Sequence, residues 1–118
     1  MGSYLPKNKC SNEDLSKYVD TSDEWISKRS GIKFRHFIAD KQTTSDMAVN
    51  ASIKAIKVSM IKKEDIDLII VATTTPDNTF PSTATIVQKK LGIKAASFDI
   101  QAVCAGFVFA LSVAKSMM

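Results

Sequence analysis

Two short apolar runs most constrain how this chain can fold. DLIIVATT at residues 67–74 and ASFDI at residues 96–100 have the length of strands and few charges. Apolar, β-branched strands of this kind are typical of a sheet that helices cover on both faces. Because helical patterns lie before, between and after the two runs, we predict an α/β fold with a mostly parallel sheet and right-handed crossovers.

Three segments with helical character alternate with these strands. In residues 45–60, apolar side chains recur every three or four positions and are expected to face the core: Val49, Ile53, Ile56 and Met60. An alanine row at 48, 51 and 55 would let this helix lie close against a sheet. Residues 82–91 predict a second helix that ends at Gly92 and turns three side chains inward: Ala84, Val87 and Leu91. The C-terminal run AGFVFALSVA predicts a buried third helix.

The predicted sheet is smaller than a complete one. Natural sheets usually have about four to six strands, whereas this pattern provides two. A chain of 118 residues buries only roughly 60 to 70% of its unfolded surface, so an apolar terminal helix predicts a missing covering layer. We therefore expect residues 1–118 to form one partial domain, with no second domain and an incomplete sheet.

A further helix is predicted near the N-terminus, within DTSDEWISKRSGI. Thr21, with Glu24 three residues later, fits a capping box in which each residue satisfies a free backbone amide. Gly31 is suited to end the helix. Trp25 and Arg29 are four residues apart and would share one helical face.

Composition excludes several classes of function. The net charge of +4 is spread along the chain, so nucleic-acid binding receives little support, although an anionic ligand or acidic partner is permitted. One histidine and two distant cysteines provide no metal site. The first residues have no secretory apolar region, which predicts a reduced, cytosolic protein. The longest apolar stretch, residues 102–114, is shorter than the roughly 20 residues of a membrane span.

Cys104 stands where the second predicted strand meets the last predicted helix, within QAVCAG. A helix N-terminus has unpaired amides and a partial positive charge, which favour a thiolate. Ala105 and Gly106 add little bulk, and nearby amides could stabilise an oxyanion. The alternative is structural, because free cysteines are among the most buried residues and are usually inert.

His36 and Cys10 are weaker candidates for chemistry. His36 would be the obvious base for a cysteine, but it lies in KFRHFIAD, which reads as a strand or extended loop. Nothing in the sequence brings it near Cys104, so a structural or exposed histidine is the favoured interpretation. Cys10 lies in a polar segment, and it is the only resolving partner available to a thiol redox protein, a third class of function.

Three segments together resemble a known family. DTSDEWISKRSGI, VATTTPDNTFPSTATIVQKKLGI and FDIQAVCAGFVFALSVA occur in the order and at the separations of the N-terminal part of β-ketoacyl-acyl-carrier-protein synthase III. QAVCAGF alone would indicate only the wider thiolase-like superfamily. DTSDEWI followed by RSGI is typical of the synthase III branch, and the match runs from GSYLP onward.

The resemblance implies a condensing acyltransferase that initiates fatty acid synthesis. Cys104 matches the family nucleophile, which takes an acetyl group from acetyl-CoA and passes it to malonyl-acyl-carrier protein with loss of CO2, without a cofactor. Thr21, Trp25 and Arg29 match positions that contact CoA. Phe80 matches a residue that reaches across the homodimer to the partner's acyl pocket.

The same resemblance implies that part of the machinery lies elsewhere. In the family, the nucleophile works with a histidine and an asparagine of the second half of the fold, and His36 matches neither. A strand also precedes GSYLP in the family. The chain is therefore expected to be the nucleophile-bearing half of a synthase; the alternatives are a non-catalytic remnant and a partner-dependent half of a split enzyme.

Overall fold

Five helices and four strands form within residues 1–118, all of which the computed structural model describes. The helices are α1 (Asn12–Leu15), α2 (Asp23–Ser30), α3 (Thr44–Ser59), α4 (Thr83–Leu91) and α5 (Gly106–Met117). The strands are β1 (Asn8–Ser11), β2 (Phe34–Phe37), β3 (Leu68–Ala72) and β4 (Ala96–Ile100). The chain divides into two compact units. The smaller unit is Leu5–Gln42, and the larger unit is Met1–Tyr4 with Thr43–Met118.

The sheet of the larger unit is parallel. Strands β3 and β4 pair in register from Leu68 opposite Ala96 to Ala72 opposite Ile100. Helix α4 connects them, as the alternation of patterns predicts. The predicted parallel α/β arrangement is therefore confirmed for this unit.

One face of this sheet carries the hydrophobic core. The core centres on α4 and the segment after it, with four buried side chains: Ala84, Val87, Leu91 and Ile93. Ile69 and Val71 of β3 pack against it. Gly92 ends α4 in a left-handed conformation with φ 68°, which glycine adopts without a steric cost. The inward residues predicted for α4 are confirmed.

Helix α3 packs on the core through fewer residues than its sequence predicts. Ala48, Val49 and Ile56 contact the core. Ile53 is half-exposed at the rim of that stripe, and Met60 is 89% exposed because it lies beyond the helix as its C-cap. The prediction that Ile53 and Met60 face inward is therefore wrong.

The alanine row of α3 receives the N-terminal segment. A Cβ atom on Gly2 would lie 2.2 Å from the carbonyl oxygen of Ala51 and 2.4 Å from the amide nitrogen of Ala55. Contacts this short require glycine. Lys54 donates to the Ser3 carbonyl at 2.9 Å. The small side chains at positions 51 and 55 therefore let a backbone segment lie directly on α3.

Helix α5 forms as predicted but is not buried. It packs against the other face of the sheet, where Gly106 places the start of the helix within 3.4 Å of Ala72, measured to a Cβ built on the glycine. Four of its apolar side chains are each more than half exposed: Phe107, Val108, Phe109 and Leu111. The prediction of a buried helix is wrong for this chain, because no layer covers these side chains. None of the helices has both the length and the apolar character needed to cross a lipid bilayer.

The smaller unit contains an antiparallel pair of strands. Strand β1 pairs with β2, from Asn8 opposite Phe37 to Ser11 opposite Phe34. Helix α2 begins at the N-cap Ser22, whose hydroxyl accepts from the amide of Trp25, and not at Thr21 as the capping box predicts. Gly31 ends α2 with φ 70°, which confirms that prediction.

A buried asparagine joins the elements of the smaller unit. Asn12 is 1% exposed. Its side-chain amide donates to the Asp23 carboxylate at 2.7 Å and to the Ile32 carbonyl at 2.8 Å. Its side-chain oxygen accepts from the Arg35 guanidinium. Asn12 therefore links α1 to the first turn of α2, to the segment after α2 and to β2.

Candidate functional site

Cys104 lies at the predicted junction of strand and helix. It occupies a 3-10 turn, Val103–Ala105, between the end of β4 and the start of α5, and it is exposed. Val103 has φ 44°, a conformation that β-branched residues rarely adopt. A strained turn between a strand and a helix presents a nucleophile above the sheet in other enzymes. The thiol is therefore not buried in this chain, as the structural alternative would require, and its reactivity stays a prediction.

The amides that follow Cys104 are already used within the turn. The amide of Ala105 donates to the Ala102 carbonyl at 2.9 Å, and the amide of Gly106 donates to the Val103 carbonyl. Neither amide is free in this geometry to stabilise an oxyanion. An oxyanion at Cys104 would therefore need donors other than these two amides, or a rearranged turn.

Cys104 borders an apolar cleft in the larger unit. The cleft has a volume of about 860 Å³ and lies between α5 and the face of β3 opposite the core. Its apolar lining includes Ile61, Leu68, Ile70, Phe107, Leu111 and Met118. The exposed thiol therefore opens onto a surface that could accept apolar groups.

Phe80 lies at the tip of the loop between β3 and α4. Its side chain is 90% exposed, and its peptide bond to Pro81 is cis. The four tip residues 78–81 are all exposed. The loop predicted for TPDNTFPS is confirmed, and it presents an aromatic side chain to the surroundings.

Hydrogen bonds anchor this loop on both sides of its tip. On the first side, the Thr44 hydroxyl donates to the Thr75 carbonyl at 2.7 Å, and the Ser45 amide donates to the Asp77 carboxylate at 2.9 Å. On the second side, the amides of Thr83 and Ala84 both donate to Asp99, each at 2.7 Å. The loop is therefore held by the first turns of α3 and α4.

The loop carboxylate Asp77 makes the larger unit sensitive to acid. Burial alone would raise the pKa of Asp77, but hydrogen bonds from the hydroxyl and amide of Ser45 and from Thr43, with the charge of Lys90, lower it below its ordinary value of 3.8. Lys90 likewise lowers the pKa of Asp46, to which it donates at 2.6 Å. The folded unit therefore holds fewer protons at these groups than the unfolded chain.

We expect the larger unit to lose stability when the pH falls below about 4. The contribution of a carboxylate with a lowered pKa is complete above its unfolded pKa, which is about 3.9, and disappears as the pH falls through the folded value. Thermal unfolding monitored by circular dichroism between pH 6 and pH 2 measures this loss. The variant Asp77→Asn should show a shallower acid dependence, and an unchanged slope would contradict the assignment.

The residues predicted to contact CoA lie in the smaller unit. The Arg29 guanidinium stacks 4.3 Å from the centre of the Trp25 ring, and both side chains are exposed on α2. The hydroxyl oxygen of Thr21 is buried and has no hydrogen-bond partner. The prediction that Trp25 and Arg29 share one face of the helix is confirmed. Their role in binding CoA stays a prediction.

The two weaker candidates have structural contacts within the smaller unit. The ring nitrogen Nδ1 of His36 lies 2.6 Å from the Pro6 carbonyl oxygen. Cys10 is in β1 and its thiol contacts the Ser11 carbonyl at 3.4 Å. Both cysteines of the chain are free. The structural interpretation of His36 therefore agrees with its hydrogen bond.

Sequence reasoning did not single out Asp99 or Asp77, which order the loop. A pattern could have found Asp99, because it is the only charged residue in the strand ASFDI. A carboxylate in a half-buried strand needs donors, and the nearest predicted helix start provides them. Asp77 has no comparable pattern, since an aspartate in a loop is common.

Comparisons with known proteins agree on one family. The chain is 60% identical over 119 residues to the β-ketoacyl-acyl-carrier-protein synthase III of Ehrlichia canis, and 59% identical over 117 residues to that of Neisseria gonorrhoeae. These matches cover 100% and 98% of the chain. No family profile matches the chain.

Solved structures give the same result. The crystal structure of 3-oxoacyl-acyl-carrier-protein synthase III from Aquifex aeolicus superposes with a TM-score of 0.87 at 49% identity, over 98% of this chain and 37% of that one. The fold is therefore that of the thiolase-like enzymes, as predicted. The chain spans 37% of the length of its relatives from Ehrlichia and Neisseria. It belongs to the β-ketoacyl-acyl-carrier-protein synthase III family and corresponds to the N-terminal part of its members.

Proposed function

We propose that this chain supplies the nucleophile of a condensing acyltransferase that initiates fatty acid synthesis in the cytoplasm. The observation that carries the proposal is the exposed Cys104 in a strained turn between β4 and α5. The relatives at about 60% identity are named for this activity. A thiol exposed at a strand-to-helix turn is accessible to the thioester of an acyl-CoA.

The proposed reaction has two steps, acylation of Cys104 and condensation. The Cys104 thiolate attacks the carbonyl carbon of acetyl-CoA, a carbon–sulfur bond forms to the cysteine, and CoA leaves as its thiolate. Malonyl-acyl-carrier protein then loses CO2, and the resulting carbanion attacks the acetyl thioester. The products are acetoacetyl-acyl-carrier protein and the free Cys104 thiolate.

The other candidate residues have binding roles in this proposal. The exposed indole of Trp25 can stack on adenine, and the Arg29 guanidinium can pair with phosphate oxygens of CoA. Thr21 provides a buried hydroxyl with no partner in the chain. Phe80 would enter the acyl pocket of a second copy in a homodimer, which its 90% exposure permits.

A partner-dependent role is favoured by a separate observation. The apolar side of α5 and the cleft beside Cys104 are uncovered, and relatives have much longer chains. Exposed apolar patches of this kind mark interaction surfaces. We therefore propose that turnover needs a polypeptide with the remaining length of the family, either linked to this chain or separate from it.

Acetylation of Cys104 is the test of the proposed function. The chain is treated with acetyl-CoA alone and after co-expression with a polypeptide containing the rest of a related synthase, and adducts are located by mass spectrometry. We expect an acetyl adduct on Cys104 in the co-expressed sample, and at a lower level or not at all in the chain alone. Cys10→Ala should retain the adduct and Cys104→Ala should lose it.

Two results would separate the candidates. Acetylation of the chain alone at the co-expressed level would contradict partner dependence. The absence of an adduct in both samples, under conditions that label the intact relative, would exclude the acyltransferase and leave a non-catalytic remnant.

A further inference from the structure

Asp99 holds the first turn of α4 from the strand that leads to Cys104. It lies on β4, five positions before Cys104. One carboxylate oxygen accepts from the Thr83 amide and the other accepts from the Ala84 amide, both at 2.7 Å. Hydrogen bonds to an ionised acceptor at a helix N-terminus are short and strong. The carboxylate thus joins strand and helix through two bonds.

Thr83 extends this connection into the loop. Its side chain is fully buried, and its hydroxyl oxygen accepts from the Asp77 amide at 3.1 Å. The Asp77 carboxylate accepts from the Ser45 amide at the start of α3. Asp99, Thr83 and Asp77 therefore form one continuous set of hydrogen bonds from β4 to α3.

This set determines where the loop tip can lie. The tip, residues 78–81, stands between Asp77 on one side and Thr83 on the other, and its residues are exposed. Because Phe80 is only three residues from Thr83, its direction depends on how α4 begins. A tip that is anchored closely on both sides presents its side chain with little conformational freedom.

We propose that Asp99 is a positioning residue, which fixes the direction in which the loop presents Phe80 and so influences which acyl groups the pocket of the second copy accepts. This inference rests on the proposed function, because it takes Phe80 to contact the acyl group. Asp99 itself contacts neither substrate nor Cys104 in this assignment. It acts through Thr83 and the loop.

The first experiment measures the mobility of the tip in this chain. Phe80→Trp in a Trp25→Phe background gives a protein with one tryptophan, whose fluorescence anisotropy decay reports motion at position 80. Adding Asp99→Asn should lower the residual anisotropy, because an asparagine of the same shape has one acceptor oxygen for two amides. Glu64→Gln, an exposed acid-to-amide change in the same unit, is the matched control and should leave the anisotropy unchanged.

A second variant covers the case in which Asp99→Asn does not fold. Thr83→Val keeps the shape of the side chain and removes the acceptor for the Asp77 amide, and it should also increase motion at position 80. Circular dichroism confirms folding of each variant. Unchanged anisotropy in a folded Asp99→Asn or Thr83→Val protein would overturn the proposal.

The second experiment distinguishes positioning from simple stabilisation. In the co-expressed protein with native Phe80, the rates of Cys104 acylation by acetyl-CoA and by a longer acyl-CoA are compared. Asp99→Asn should change the ratio of the two rates by roughly tenfold, whereas a purely structural role would lower both rates equally. Equal lowering would overturn the proposal. If the unmodified protein is not acylated, the proposed function is refuted, and so is the influence of Asp99 on acyl choice. The anisotropy experiment would still show whether Asp99 restricts the motion of the loop tip.

Discussion

Replacing Asn12 by alanine is expected to lower the free energy of unfolding of the smaller unit by about 3 kcal/mol. Asn12 is fully buried and provides hydrogen bonds to α2, to the segment after it and to β2. Alanine leaves the Ile32 carbonyl and the half-buried Arg35 guanidinium without this partner, and it creates a cavity. Units of this size have little stability in reserve, so the variant should be largely unfolded at moderate temperature.

The single tryptophan of the chain makes this loss measurable. Trp25 lies on α2, so its fluorescence during thermal or urea unfolding reports the smaller unit. Asn8→Ala is the matched control, because the Asn8 side chain is exposed and makes one long hydrogen bond, to the Ile38 carbonyl at 3.4 Å. The control should change the free energy of unfolding by less than about 0.5 kcal/mol. Similar losses in both variants would contradict the central role of Asn12.

The same variant should weaken binding of CoA if Trp25 and Arg29 contact it. Asn12 donates to Asp23 in the first turn of α2, and this hydrogen bond, followed by that from Ser27, lowers the pKa of Asp23 despite a small opposing effect of burial. Loss of Asn12 therefore removes a support of the helix that carries both side chains. Arg29 retains its stacking on Trp25 only if α2 persists.

The elements that local patterns specify were predictable from the sequence. Strands β3 and β4, helix α4 with its inward face, and the turn at Cys104 all follow from short apolar runs and their flanking residues. The pairing of β1 with β2 was not predictable, because those strands are separated by more than twenty residues and neither has a strong apolar alternation. Contacts over such distances depend on the whole fold rather than on a local pattern.

Competition between neighbouring hydroxyls explains the error at α2. The capping-box rule selects Thr21 because Glu24 follows it, yet the helix uses Ser22. Ser22 and Thr21 are adjacent and both are chemically suited to cap, so the position depends on how the preceding chain enters the helix. Because Ser22 caps the helix, the Thr21 hydroxyl is buried and has no hydrogen-bond partner. The capping-box rule considers only the residue types and their spacing, so it cannot predict this result.

The burial of α5 shows a different limit. Its first three turns are almost entirely apolar, which predicts a buried helix, yet Phe107 is 71% exposed in this chain. The apolar residues of a helix indicate that it is suited to a buried position. They do not indicate whether the layer that buries it belongs to the same chain. The exposed side is therefore better explained by an uncovered interface than by an ordinary surface helix.

That explanation predicts that one substitution leaves the stability of the chain alone nearly unchanged but prevents assembly of its complex. Leu111→Lys should leave the free energy of unfolding of the chain alone within about 0.5 kcal/mol of the original value, since Leu111 is already 55% exposed. It should also reduce self-association, because it interrupts the apolar patch. After co-expression with the remaining part of a related synthase, the same lysine would be buried without a partner. Complex formation should then fall by about a hundredfold or more.

Ser112→Lys is the control that makes this comparison specific. Ser112 is an exposed neighbour on α5, so the control adds the same charge to the same helix, at a position that is not part of the cleft beside Cys104. Sedimentation velocity measures self-association, and recovery of a tagged complex measures assembly. If Leu111→Lys assembles as well as Ser112→Lys, the cleft side of α5 is not the covered interface. If instead only Leu111→Lys fails to assemble and is still folded alone, the covering layer packs on the exposed apolar side of α5. The cleft beside Cys104 is then buried by assembly and not by the folding of this chain.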